Sequence, residues 1–553
     1  MKKYLPVAIL LSLFFVLALT SVRTKSPVCD AAAHHIASGY SYVKVGDFRM
    51  NPSAPPLLRI LMGIPILALN PALPIDHPSW EGIDSPEFHR QFLFVGDKNT
   101  ELIIFLSRLP MIILSLFLGI LIFIWARQIY GYKAALFTLF LFSLSPTMLA
   151  NAPLAMLDMG CAFFMFLFFF QLWRYLNNKT LLNLVLTGIC FGLAQSTKIT
   201  AVILYPLSIL FILVDFFISQ KTQRLSLLKI LARIIIIWFI GIIVLWASYF
   251  FEFKPLLVNA PDVEEKIGYI RTFAQSLPFI DSEHLSERLV YFAKNVPIPL
   301  STYIVTLLGV VHLMLSDYPV YFMGNMVHGG SRIYYLIDFL IKTPIPFILL
   351  IALSFIFIRR RTRTGLLTKL FIVVPLITFF LSASNSKLQC GVRYLLPMYP
   401  FMFLWVSDLV NINLKRNQKV FKALIVVCGI WYLAASVFSY PDYLAYFNGF
   451  TGGMKGSGYK ITHDADWGQD MKALKIYMDK EGVERVRILC FGVVDPSYYK
   501  IDYKNMTQDE FIAPIKGAYY AISMRYLQSV EWTDTLKPVE RVGGTIFIYH
   551  IEE

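Results

Sequence analysis

Apolar runs of about 15 to 25 residues recur along the chain, separated by polar stretches that are in turn short and basic or long and mixed. Runs of that length match the thickness of a bilayer's hydrocarbon core. They predict about eleven transmembrane helices, at 4–22, 102–126, 134–150, 159–173, 181–194, 199–218, 234–251, 336–358, 370–383, 394–410 and 423–437. Two shorter apolar stretches, 57–69 and 301–315, predict helices lying in the membrane interface. They fall in the two long loops, 23–100 and 252–335. The tail has a different rhythm. GQDMKALKIYMDKEG carries apolar residues at helical spacing with Gly482 as a C-cap, and VRILCFGVV, YYAISMRYL and TIFIYHI read as strands. The fold class expected is a polytopic α-helical membrane protein: a transmembrane domain over 1–439 and a small α/β domain over 440–553.

Composition agrees. Hydrophobic residues make up 57% and charged residues only 16%, against about 25% charged in soluble domains. A net charge of +14 would suggest nucleic acid in a soluble protein. Here the charge concentrates in the short loops, at Arg127 and Lys133, at Lys221, Arg224, Lys229 and Arg233, in RRRTRTGLLTK, and at Lys415, Arg416, Lys419 and Lys422. The positive-inside rule accounts for that pattern, so no nucleic-acid partner is expected. It puts the N-terminus and basic loops in the cytoplasm, and the long loops and tail outside a multi-pass cell inner membrane. The opening MKK and apolar run resemble a signal peptide, but no small-x-small site follows before Asp30, so the segment reads as an uncleaved span. The six cysteines show no CxxC spacing. Cys161, Cys190 and Cys428 fall inside spans; Cys29, Cys390 and Cys490 fall outside, with nothing in the sequence to pair them.

Polar chemistry gathers at the predicted outer face. The stretches are Asp30 with His34 and His35, Asp158 in LDMG, Lys198 in QSTK, His328, Arg332 and Lys342 in YFMGNMVHGGSRIYYLIDFLIKTPIP, and Lys387 and Arg393 in SKLQCGVRYLLPMYP. Asp30 lies just past the first span, where poor solvation would raise its pKa and suit a general base. Lys and Arg beside headgroups can hold a phosphate. The adjacent histidines lack the i, i+4 spacing of a metal site, and no HExxH or DxD-like cluster occurs, so no metal and no cofactor are expected. No Walker motif, GxGxxG or GxSxG is present. DADWGQD reads as a helix start, with Asp464 or Asp466 accepting from backbone N–H groups.

Several strings together resemble the bacterial membrane glycosyltransferases of family 39, relatives of the protein O-mannosyltransferases and of the aminoarabinose transferase of lipid A. They are CDAAAHHIASGYSYVKVGDFRMNPSAPPLLR, SPTMLANAPLAMLDMG, GICFGLAQSTKIT, HGGSRIYYLIDFLIKTPIP, GVRYLLPMYPF and YLAYFNGFTGGMKGSGYKITHDADWGQDMKAL. The resemblance implies a GT-C architecture and inverting transfer of a sugar from a polyprenyl-phosphate donor to a protein, glycan or lipid acceptor. It implies catalytic roles for Asp30, as general base, and Asp158. Lys198, Lys342 and Arg393 would hold the donor phosphate, and His34, His35, His328 and Arg332 would contact substrate. The family usually has an Asp-Glu pair in the first outer loop; here Ala31 follows Asp30. An aminosugar transferase acting on a glycolipid is the alternative within the enzymes, and a lipid or solute transporter the alternative outside them.

Overall fold

The computed structural model describes residues 2–552, apart from 97, 220–226, 258–262, 276–281, 316 and 363. Lys221 and Arg224 therefore lie outside the described residues. Helices dominate as expected, but among the described residues only six are long and apolar enough to cross a membrane. They are Thr100–Tyr130, Leu157–Asn177, Ile199–Ile218, Leu227–Ser248, Leu366–Ser384 and Gln418–Phe438. Other predicted spans exist as shorter helices, including Leu5–Ser21, Tyr132–Ser143 and Leu181–Gln195.

Two predicted spans are broken, and proline accounts for both. The stretch 336–358 is two helices, Tyr334–Lys342 and Ile345–Ile356, bent by 114° at Thr343-Pro344. Pro344 cannot continue the first helix and biases Thr343 out of the helical region. The stretch 394–410 begins as a tight 3₁₀ turn over Val392–Met398, containing Pro397, and becomes α-helical at Tyr399–Ser407.

Side-chain contacts sort the helix ends into two groups. Arg127 donates to Tyr4 Oη at 2.9 Å, Asn411 donates to the Tyr130 carbonyl at 2.9 Å, and Arg361 pairs with Asp408 at 3.3 Å. These join the first helix start and the ends that follow predicted spans 2, 8 and 10. At the other group of ends, both long loops meet the tail. Ser26 N–H donates to the Gln469 carbonyl at 2.8 Å and Met323 N–H to the Ile461 carbonyl at 2.9 Å.

Within the first long loop, the helix Leu57–Gly63 packs on Ile36–Val45 through two glycines. A Cβ on Gly39 would sit 2.2 Å from the Arg59 carbonyl oxygen, and one on Gly63 2.2 Å from the Gly39 carbonyl oxygen. The helix buries Leu58, Arg59 and Met62, and the 3₁₀ stretch that follows it exposes apolar Ile64 and Leu67.

The tail is the α/β unit expected. The helix Met471–Glu481 ends at Gly482 in the left-handed region, φ 69°. Five strands follow: β1 (Arg485–Leu489), β2 (Asp502–Asn505), β3 (Tyr519–Ser523), β4 (Glu540–Val542) and β5 (Ile546–His550). The sheet order is β2-β1-β3-β5-β4, with β1 parallel to β2 and β3 and the remaining pairs antiparallel.

Candidate active site

Asp30 lies past the first helix, Leu5–Ser21, at the entry to a wide π-type turn over Ala31–His35. Such turns re-aim side chains and recur at functional sites. Asp30 Oδ2 meets Arg393 Nη1 at 2.7 Å. Across from it, Asp158, in the first turn of Leu157–Asn177, accepts from Lys198 Nζ at 2.6 Å. The two pairs are linked, since Arg393 Nη1 also lies 4.0 Å from Asp158 Oδ2. Tyr394 backs both cations, with Lys198 Nζ 4.2 Å from its ring centre.

These four side chains line one cleft with about 180 Å³ of free volume. A narrower extension of about 80 Å³ continues past Met165, Ile203, Phe379 and Ala383. The cleft is therefore charged at one end and apolar at the other. The helix Ser301–Leu315 closes part of it with Val310, Leu313 and Met314.

Arg59, which the sequence reading passed over, also lines the cleft. It is fully buried, and its guanidinium donates to Asn51 and Ala54 carbonyls, to Ser53 Oγ and, through Nε at 3.3 Å, to His35 Nδ1. Among the described residues its hydrogen bonds go only to neutral acceptors. Two acids thus face three cations in the cleft, leaving positive charge in excess.

The expected rise in the Asp30 pKa is reversed. Burial does push it upward, but Arg393, through its charge and its hydrogen bond, leads the opposing influences, and the carboxyl is held at about 2. His35 is driven well below its usual value, by burial first and then by Arg59. Its ring is neutral at pH 7 and accepts from Arg59.

Not every predicted site residue comes here. His34 is half-buried beside Asp30, and its carbonyl accepts from Asn51 Nδ2 at 3.0 Å. His328 sits on an exposed hairpin, Pro319–Phe322 with Asn325–His328, paired 3.2 Å from Asp317. Arg332 is exposed outside the cleft lining. Lys342 is not at the cleft either. The bend after Lys342 turns its helix inward, so the ammonium is buried, donating to the Leu444 carbonyl at 2.8 Å and lying 4.6 Å from the Phe447 ring centre. Its electrostatic partners are Asp338, one turn earlier, and Asp464 of the tail. DADWGQD does lead into the helix that begins at Met471, and both acids accept backbone N–H groups, but neither caps that helix: Asp464 accepts from Val392 N–H at 2.9 Å and Asp466 from Gly468 N–H at 3.0 Å.

Comparison with known proteins adds the following. Residues 91–256 match the family model described as dolichyl-phosphate-mannose-protein mannosyltransferase. The family 39 resemblance is supported over that stretch, which holds Asp158 and Lys198. No curated protein matches the chain. Among solved structures, ArnT from Cupriavidus metallidurans bound to undecaprenyl phosphate aligns at 12% identity over 98% of this chain and 97% of its own, with a TM-score of 0.45. The archaeal oligosaccharyltransferase AglB from Archaeoglobus fulgidus, in complex with an inhibitory peptide and a dolichol-phosphate, aligns at 13% identity over 99% of this chain and 74% of its own, TM-score 0.43.

Proposed function

We propose that the chain is a membrane glycosyltransferase of GT-C type that moves a sugar from a polyprenyl-phosphate donor to an acceptor hydroxyl at the extracytoplasmic face. The observation that carries the reading is the cleft itself: two acid–base ion pairs and the unpaired Arg59 at one end, an apolar channel at the other. A lipid phosphate has that same shape, one anionic head on a hydrocarbon chain. The family match over residues 91–256 supports the same substrate class.

In this reading Lys198, Arg393 and Arg59 receive the phosphate, and the isoprenoid lies past Phe379 and Ala383. The incoming anion competes with Asp30 for Arg393, and loss of that partner restores basicity to the carboxylate. The acceptor oxygen then attacks the anomeric carbon from the face opposite the phosphate. Its proton passes to Asp30, the bond from carbon to phosphate oxygen breaks, and the electron pair leaves with the lipid phosphate. The three cations stabilise the charge gathering there. Asp158 holds Lys198 in place.

The test is transfer from radiolabelled polyprenyl-phosphate mannose into envelope proteins and glycolipids by membranes carrying the wild type or Asp30→Asn. Loss of transfer with donor binding retained supports the assignment. Transfer by Asp30→Asn at a near wild-type rate removes Asp30 as the base.

A further inference from the structure

A single short loop of the tail lies against Arg393 and holds the backbone on the N-terminal side of both Arg393 and Asp30. From one side, Trp467 lies against the guanidinium of Arg393, 4.0 Å from ring centre to Cζ. Also on that side, Asp464 accepts the backbone N–H of Val392, the residue before Arg393. The fit is close: Gly391 has φ +76°, and a Cβ there would fall 1.5 Å from Asp464 Oδ1. From the other side, the Trp467 carbonyl accepts the N–H of Cys29, the residue before Asp30, at 2.8 Å.

The loop is itself tied down. Trp467 Nε1 donates to the Asp464 carbonyl at 2.9 Å, and Gln469 Oε1 accepts from Trp467 N–H at 2.8 Å. Asp466 accepts from Ser523 Oγ on β3, fixing the loop to the sheet. Ser26 donates its N–H to the Gln469 carbonyl and accepts the Lys472 N–H at 2.9 Å. Asp464, Asp466 and Gln469 are all buried.

From this geometry we infer that Trp467 and Asp464 are positioning residues, by which the C-terminal domain clamps the base and its arginine in register. This rests on the proposed role of Asp30. The domain then works as part of the active centre, not as a separate acceptor-binding module. Trp467 restricts Arg393 by stacking, so the guanidinium can move between Asp30 and an incoming phosphate but not turn away from both. Asp464 fixes the backbone that carries Arg393. Neither residue is asked to touch the reacting atoms.

The groups facing Asp30 are Arg393, His34 and His35, with Cys29 beside it in the chain and Asp158 across the cleft. Of these, Arg393 pulls its titration down most strongly. A loosened Arg393 lets burial raise the Asp30 pKa. The base must be ionised to act, so the acid limb of the rate profile then moves to higher pH.

The experiment compares full-length Trp467→Leu, Trp467→Phe and Asp464→Ala with wild type and Asp30→Asn, measuring kcat, KM for polyprenyl-phosphate mannose, the pH profile and thermal unfolding. Trp467→Leu is expected to lower kcat roughly 10- to 100-fold, the scale of a small misplacement of reacting groups. KM should change less than kcat, and the acid limb should shift upward. Trp467→Phe, which keeps an aromatic face, should recover most of the loss, and Asp464→Ala should show the same direction as Trp467→Leu. If Trp467→Leu folds, keeps the wild-type kcat and shows no shift of the acid limb, the clamp is refuted. Should Asp30→Asn remain active, the proposed base fails instead, so the two failures are told apart. A Trp467→Leu defect that lies wholly in Tm, with kcat per folded molecule unchanged, also overturns the proposal.

Discussion

Two clusters of acids and cations in this molecule have similar ingredients and opposite surroundings. Asp30, Asp158, Lys198 and Arg393 line a cleft that continues into an apolar channel. Asp338, Lys342 and Asp464 are sealed between the bent helix and the tail, with Lys342 against Leu444 and Phe447. Charge that borders free volume can exchange one partner for another. Charge enclosed by protein can only hold its neighbours together, and removing one member leaves the others uncompensated. Residue type does not separate Lys198 from Lys342; access does.

The widest separation between the clusters should come from the base. Asp30→Asn is expected to reduce transfer by about 10²- to 10⁴-fold, the usual scale for general-base loss, in an enzyme that still folds, its Tm lowered only by the lost ion pair with Arg393. A radiolabel transfer assay alongside thermal unfolding checks both parts. Next, Arg393→Ala should cost about 10²- to 10³-fold in kcat, as expected for removing one group that stabilises developing charge. An effect confined to KM would assign Arg393 to donor binding alone.

Changes in the sealed cluster should appear first in stability; only Asp464, which also holds the Val392 backbone beside Arg393, should lower kcat as well. Asp464→Asn keeps an acceptor for Val392 N–H but leaves Lys342 with less opposing charge. It is expected to cost about 3 kcal/mol, the lower end for one partner of a buried ionic set, seen in denaturant or thermal unfolding. A fully stable Asp464→Asn would show that the cluster carries no structural load.

The pH profile sharpens the contrast further. A carboxyl held at about 2 by Arg393 stays ionised well below neutral, so Asp30 should give no acid limb in free-enzyme kcat/KM between pH 7 and 5. The ion pair's contribution to stability follows the same sign. It is complete above the ordinary carboxyl range of about 4 and is lost as pH falls through about 2. The smallest effects should come from His328→Ala and Arg332→Ala. Both side chains are exposed and away from the cleft, so stability should stay within about 0.5 kcal/mol and transfer close to wild type.

The membrane class, most helices and the tail's helix-and-strand order were legible because apolar periodicity and length report burial directly. The broken spans were legible too in hindsight: KTPIP and RYLLPMYP contain prolines where a straight helix was expected. The sequence brought Asp30, Asp158, Lys198 and Arg393 into view, since each stands at a helix mouth. It grouped Lys342 with them, whereas the structure places it away from the cleft, because a Lys at a helix end looks the same whether it faces lipid headgroups or protein. The sign that could have helped was Asp338 four residues earlier, a local carboxylate on the same helix face. Arg59 was hidden by the apolar run around it; the clue was Gly39 and Gly63, whose missing side chains allow the close packing. The role of DADWGQD was not legible, because its partners Cys29 and Val392 lie hundreds of residues and dozens of residues away in the chain.

The most direct test of the division between cleft and clasp sets Lys198→Met beside Lys342→Met in the full-length protein, measuring polyprenyl-phosphate affinity and Tm for each. The expected result is a crossed one: Lys198→Met weakens lipid-phosphate binding at least tenfold, about 1.4 kcal/mol, with Tm little changed. Lys342→Met should lower Tm by several degrees, with binding by the folded fraction intact. Lipid-phosphate binding that survives Lys198→Met and is lost in a stable Lys342→Met would contradict the account and move the donor site to the other cluster.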